Sequence, residues 1–351
     1  MVSPHLIKKR ESNFTLNSSA KKLFQLVYIK KNNLEESNSG PAKIIVSTMV
    51  SKLAFFYEKI RNAVDYDDEH LLRKNAIKRI FKRQIVIEGV VKNLESKELA
   101  LHLLTELIQA GYLDNNSIPE NKIYEIASIL EKYIILKDSV FKKEKFLFIF
   151  SQNIKNKRRN GQAEKKLLNW IISLASAEIE ENLTSDKIKQ EIVSDMFDIL
   201  KDNIVLPRDW AHSNDLDIQI YLGIARNFLN FDKDLLNFIL FKYYNKNWAK
   251  INNKEIEGLS DKIDVIYSAI LYQLKHPLTK QLDKVIKPYS LYFSILRDSI
   301  NDNPIKVYDL AVNNHKSFIN LIKEACESKY GKIKNKLWRS GFRCIIIIFL
   351  T

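Results

Sequence analysis

The chain has 351 residues, a formal charge of +14, and 46% of its residues are hydrophobic. So large an apolar share excludes general disorder, and only 8 glycines and 7 prolines exclude turn-rich sandwiches, barrels and doubly wound sheets. The cationic surplus points to an anionic partner, either nucleic acid or the inner face of a membrane.

The first 41 residues read as a polar, mobile lead-in with one short amphipathic piece, Lys21–Tyr28. They lack the 7–15-residue apolar core that a secretory signal requires. A helix is then expected from Ala42 to Asn62, with Ile45, Met49, Leu53 and Phe56 or Tyr57 as its buried stripe. The stretch Tyr57–Glu88 carries the most organised charge pattern in the chain. An acidic knot of Asp65, Asp67, Asp68, Glu69 and His70 leads directly into a basic helix that runs to about Gly89.

Beyond it, Ser96 is expected to cap a helix carrying Leu99, Leu101, Leu103, Leu104, Leu107 and Ile108 and stopping at Gly111. Ser117-Ile118-Pro119-Glu120 reads as a capping box opening a helix to about Leu136. Val140–Lys155, which contains FLFIF at Phe146–Phe150, reads as a buried helix rather than a strand because of its length and Lys-rich flanks. Lys155–Gly161, KNKRRNG, reads as a basic loop and a domain boundary. Further helices are expected at 163–182, 185–202, 215–230, 232–244, 260–275, 278–286, 289–300 and 303–329, joined by short connections.

No TPR, HEAT or armadillo signature is sustained along the chain. The expected fold is therefore all-α, an irregular multi-helix bundle or a solenoid-like array of antiparallel helices. Residues 42–160 form the first helical domain, 161–330 the second, and 331–351 a basic juxtamembrane-like segment entering an apolar run.

Lys329–Arg343 holds six basic residues and no acidic one, and the sequence then turns to Cys344–Leu350, CIIIIFL. That run is far short of the ~20 apolar residues of a membrane-spanning helix. Basic residues crowded before an apolar run are nonetheless what the positive-inside rule places on the cytoplasmic side. Lys332, Lys334, Lys336, Trp338, Arg339 and Arg343 are accordingly read as membrane-proximal, and the run as the start of a span continuing past Thr351. The competing reading is a buried terminal segment. Cys326 and Cys344, the two cysteines, follow no metal or disulfide spacing and suit a reducing compartment.

The acidic knot offers ligands for Mg²⁺ or Zn²⁺, but acids in a helix's first turn also complement its dipole, and no EF-hand pattern follows. Capping is the reading adopted. On the basic helix, Leu72, Ala76, Ile80, Phe81 and Ile85 form an apolar stripe, with Lys74, Lys78 and Lys82 as a cationic row flanked by Arg79 and Arg83. These cations read first as a solvated face whose charges pair with neighbouring acids such as Glu69 and Glu88; as functional contacts they are assigned, with Arg73 and with Lys157, Arg158 and Arg159, to an anionic surface, lipid before nucleic acid. His212 with Asp215 or Asp217 could form an acid–base pair, but an N-cap at Ser213 or Asn214 explains the cluster better. Phe241, Tyr243, Tyr244 and Trp248, interleaved with Lys242, Lys246 and Lys250, resemble a base-stacking platform and are read as core aromatics.

No GxGxxG, P-loop, HExxH, CxxC pair or GxSxG occurs. The expectation is a non-catalytic, cytoplasmic interaction module held at an anionic leaflet, with no catalytic residue, metal, cofactor or small-molecule substrate assigned. A protein partner is compatible with that role. The alternatives are a soluble nucleic-acid-binding protein using residues 73–83 and, more distantly, a metal-dependent enzyme at residues 65–70.

Overall fold

The computed structural model describes residues 22, 23, 25, 42–46, 68–85, 95–142, 160–184, 187–206, 213–314, 316–331 and 334. Among the described residues the protein is all-α, with one isolated antiparallel bridge between Lys43 and Pro119. The chain divides into two compact units, one of Ser39–Ser185 with Arg208–Val285, the other of Met1–Asn38, Asp186–Pro207 and Ile286–Thr351.

The first unit is built around α4 (Asn160–Leu183). Leu167, Trp170, Ile171, Ile172, Leu174, Ala175, Ala177 and Ile179 of this helix are all buried. Ser173, Ser176 and Glu180, also buried, close the arc these apolar positions leave open at 100° per residue, so α4 has no solvent face along this span. It packs against α1 (Glu69–Arg83), α3 (Lys122–Phe141) and α7 (Lys233–Tyr244). Around these, α2 (Ser96–Gln109) lies on α1 and α3, and α6 (Leu216–Asn227) on α7. Helix α8 (Asn253–Ser260) lies on α3, and α9 (Ile263–Leu274) on α7. Each fully buried Leu, Ile or Phe in this layer contributes about 1.5–3 kcal/mol relative to leaving it in water.

The expected division at Lys155–Gly161 is crossed by packing, because α4, which follows it, and α1, which precedes it, share one core. Residues 143–159, including FLFIF, lie outside the described residues.

Local chemistry explains where the elements begin and end. Helix α2 stops as expected at Gly111, whose φ of 76° is left-handed. The Tyr112 N–H bonds the Leu107 carbonyl and the Gly111 N–H bonds that of Ile108, which together make a Schellman motif. Ser117 does not open a helix. Its hydroxyl donates to the Asp114 carbonyl, and α3 starts only at Lys122. The intervening backbone pairs instead with residues 42–46, through Ile44 N–H to Ile118 O and Glu120 N–H to Ala42 O, both 2.9 Å. Residues 42–46 are thus extended rather than helical, and Ile44 is buried while Ile45 is exposed. The rest of the helix expected to Asn62 lies outside the described residues.

Helix α8 was absent from the periodicity reading, yet Asn252 and Glu255 form a complete capping box at its start. Eight residues are too few for a hydrophobic period to stand out, whereas the cap pair was legible.

In the second unit, α5 (Lys187–Asn203) buries Ile188, Ile192, Met196 and Leu200, a row spaced by four. Helix α10 (Thr279–Asp302), which belongs to this unit from Ile286 onward, is continuous where two helices were expected. Pro288 inside it has no N–H to give the Lys284 carbonyl, and nearby the Ser290 hydroxyl donates to the Ile286 carbonyl at 3.1 Å. Helix α11 (Pro304–Asn313) starts with Asn303 capping the Lys306 N–H. Asn314 then ends α11 and caps the Ser317 N–H at the head of a last helix, 316–331. One expected helix over 303–329 is therefore two.

Candidate functional site

The Tyr57–Glu88 stretch supplies the first element of the site, and its residues 68–85 are described. Residue Asp68 occupies the N-cap position of α1 with extended backbone, but its side chain makes no cap bond. Its Oδ2 instead accepts from Asn230 Nδ2 at 2.8 Å. Asn230 itself has a left-handed φ of 54°, in the turn between α6 and α7. Glu69, in the first turn, pairs with Arg73 one turn on at 2.9 Å. The acids therefore sit where the dipole favours them, but the expected capping bond is replaced by a long-range tie. Asp65 and Asp67 lie outside the described residues, and among the described residues no group of three or more His, Cys, Asp or Glu is placed to hold a metal.

Two of the six cations of α1, Arg73 and Lys74, turn inward. Lys74 is 0% exposed and Arg73 7% exposed, so neither can lie on an outer surface. The buried stripe is Arg73, Ala76, Ile77, Ile80 and Phe81 with Lys74, rotated from the expected Leu72–Ile85 stripe. Rotation follows from the available partners, since a carboxylate inside the core offers a charged side chain what water would otherwise provide.

Arg73 donates from Nε and Nη2 to the two carboxylate oxygens of Glu180 on α4, each at 2.9 Å, and from Nη1 to the Tyr112 carbonyl at 3.3 Å. Lys74 pairs with Asp232 and, at 3.4 Å, with Asp234. Lys78 reaches the same Asp234 carboxylate at 2.6 Å. Asp232 does two things at once, because its other oxygen caps α7 by accepting the Leu235 N–H at 3.1 Å.

Burial works against the Arg73 charge, but Glu180 and then Glu69 outweigh it and leave the guanidinium pKa raised. Burial also raises the Glu180 carboxyl, and Arg73 offsets that only in part. Asp234 falls on the other side. Burial pushes it up, but the hydrogen bond from Lys78 and the charges of Lys74 and Lys78 bring it below the usual carboxylate range.

Helix α4 supplies two further acids. Glu178 accepts from Lys132 at 2.6 Å, from the Tyr133 hydroxyl at 2.8 Å and from the Trp248 indole N–H at 2.6 Å. Burial, then the Glu178 charge, hold the Tyr133 phenol well above its usual pKa. Glu181 receives Lys242 of α7 at 2.6 Å. Steps of two and three residues place Glu178, Glu180 and Glu181 on three sides of one helix, so each answers a different neighbour. These acids escaped sequence reasoning. Their signal was position, because three carboxylates in the last turns of a helix oppose its dipole and need cations from elsewhere.

The remaining expected contacts scatter. Arg83 pairs with Glu106 on α2, and Arg79 lies 3.5 Å from the Tyr112 hydroxyl. Lys82 is half-buried. Lys157, Arg158 and Arg159 lie outside the described residues, as do Lys332, Lys336, Trp338, Arg339 and Arg343, while Lys334 is helical and exposed.

His212 also lies outside the described residues, so an acid–base pair there has no geometry to describe. Asp215 closes a short 3₁₀ turn, Ser213–Asp215, and makes no side-chain cap bond to α6. It accepts instead from Gln273 at 2.8 Å and faces His276 Nε2 at 3.4 Å. In the aromatic cluster Phe241 and Trp248 are core residues, their rings 4.8 Å apart, whereas Tyr243 and Tyr244 are exposed.

No protein-family model, curated protein or solved structure matches the chain.

Proposed function

We propose that the chain is a non-catalytic helical interaction module held at an anionic membrane surface by its basic-to-apolar segment, residues 329–350. The supporting observation is where α1 spends its cations. Arg73, Lys74, Lys78 and Arg83 are each paired with a carboxylate of the same unit, which leaves the 69–83 helix a poor phosphate-binding face. Lys332, Lys334, Lys336, Arg339 and Arg343 form the densest acid-free cationic run ahead of an apolar stretch. Each basic residue near an anionic leaflet adds about 1 kcal/mol of attraction, and the isoleucines after them supply apolar area. Among the described residues no helix is long and apolar enough to cross a membrane.

Sedimentation with vesicles containing phosphatidylserine tests it. The chain pellets with them at low salt, less so at high salt, and stays in the supernatant once residues 334–351 are removed. Equal pelleting of the shortened chain overturns the reading. Salt-sensitive binding to RNA or DNA that survives the deletion favours the nucleic-acid alternative.

A further inference from the structure

Helix 316–331 buries none of its side chains fully. One flank is tied down, with Lys329 donating to Asp298 of α10 at 2.8 Å. Roughly 65° round the helix from Lys329, Ile319, Ile322, Cys326 and Tyr330 form an apolar strip along an open groove of about 380 Å³. Ile319 is 41% exposed and Tyr330 62% exposed, and an apolar strip of this kind marks a contact surface.

Lys323 and Glu327 edge the strip on its other side, and both are exposed. They stand one turn apart, yet neither has an ion-pair or hydrogen-bond partner among the described residues. Lysine ahead of glutamate is the weaker order for an i,i+4 pair, so the helix does not consume these two charges itself.

We propose that this face docks on the same face of a second copy of the chain, antiparallel, about a two-fold axis at Ala325. The charges select that occupant. In an antiparallel two-fold pair each flank meets the same flank of the other helix with its residue order reversed. An axis at position 325 therefore sets Lys323 opposite Glu327 of the second copy, and Glu327 opposite its Lys323. One rotation makes both ion pairs, and the single chain makes neither.

The apolar side chains obey the same axis. Ile322 comes level with Ser328 of the second copy, between its Cys326 and Tyr330, and Ile319 comes level with Gly331, beside the same Tyr330. The side chain nearest the axis meets its own image, and there the strip carries Cys326, its smallest member. With helix axes about 8–10 Å apart, the two Cys326 Cα atoms come to roughly 5–6 Å. A helix face of this length buries on the order of 1,000 Å² in total, at the low end of specific interfaces, so the pair separates on dilution. The pairing does not depend on attachment to a bilayer.

Sedimentation velocity of the full chain over a dilution series, without lipid, tests it. The expected species is a dimer that gives way to monomer as the chain is diluted. Lys323→Glu and Glu327→Lys each turn two attractive pairs into two repulsive ones, and each raises the dimer Kd about tenfold. An equimolar mixture of the two variants recovers the dimer, because one chain then presents two acids and the other two bases. That recovery separates pairing from a folding defect. In Cys344→Ser a short bismaleimide joins Cys326 to Cys326 between two chains. A monomer at every concentration, a dimer indifferent to either charge reversal, no recovery on mixing, or no such crosslink overturns the proposal. Vesicle sedimentation of the Lys323→Glu chain reports on membrane attachment separately, so either reading can fail alone.

Discussion

Arg73 and Glu180 stand 107 positions apart in sequence and meet side-on, two guanidinium nitrogens each 2.9 Å from a different carboxylate oxygen. The pair joins α1 to α4 inside the core, with Arg73 side-chain exposure at 8% and Glu180 at 3%. Removing one member leaves the other charged and buried. Arg73→Ala therefore costs about 3–5 kcal/mol of stability, while the double replacement Arg73→Met with Glu180→Leu recovers much of the loss. Urea denaturation of the two single variants and the double variant measures both terms, and strict additivity would refute the coupling.

Asp232 serves two partners that substitution can separate. Asp232→Ser keeps an N-cap acceptor for α7 but gives up the charge facing Lys74, whereas Asp232→Ala loses both. The difference between the two variants is the cap contribution, about 1 kcal/mol. Denaturation midpoints of the two variants measure that difference, and equal midpoints would remove the cap role.

Acid stability separates two carboxylates by sign. Asp234 has a lowered folded pKa, so its contribution is complete above its unfolded value and is lost as pH falls through the folded one, below about pH 4. Glu180 has a raised folded pKa. It carries a cost at neutral pH that fades as pH falls through that raised value toward the unfolded one. Asp234→Asn should thus flatten the acid limb of stability against pH, and Glu180→Gln should remove the gain that precedes it. Unfolding free energies between pH 3 and 7 decide both.

Trp248 gives Glu178 one of its three donors and packs its ring against Tyr133 at 5.1 Å. Trp248→Phe keeps an aromatic ring and removes the N–H, at a cost of about 1–3 kcal/mol for an acceptor left short of a partner. If thermal melts show no destabilisation, Lys132 and Tyr133 suffice for Glu178.

Helical class, the Gly111 stop and most helix spans were legible because they depend on neighbours a few residues apart. Arg73 and Lys74 were misplaced for the opposite reason. A cation reads as surface until its carboxylate is known, and Glu180 and Asp232 come from distant helices. The same limit applied at Ser117, whose capping-box pattern was real but lost to backbone pairing with residues 42–46. Within the candidate site the sequence identified the cationic side, whereas the acidic side on α4 was visible only as three glutamates at the wrong end of a dipole.

The three glutamates of α4 have one more effect. Apart from Trp170, the apolar sheath of this shaft is Leu, Ile and Ala, side chains whose contacts change little as a helix turns about its own axis. A rotation of one residue, 100°, would carry Glu178, Glu180 and Glu181 away from Lys132, Arg73 and Lys242 together. The carboxylates thus act as keys in a shaft, fixing the angle at which α4 sits among its neighbours, so that a core of interchangeable aliphatics accepts a single assembly.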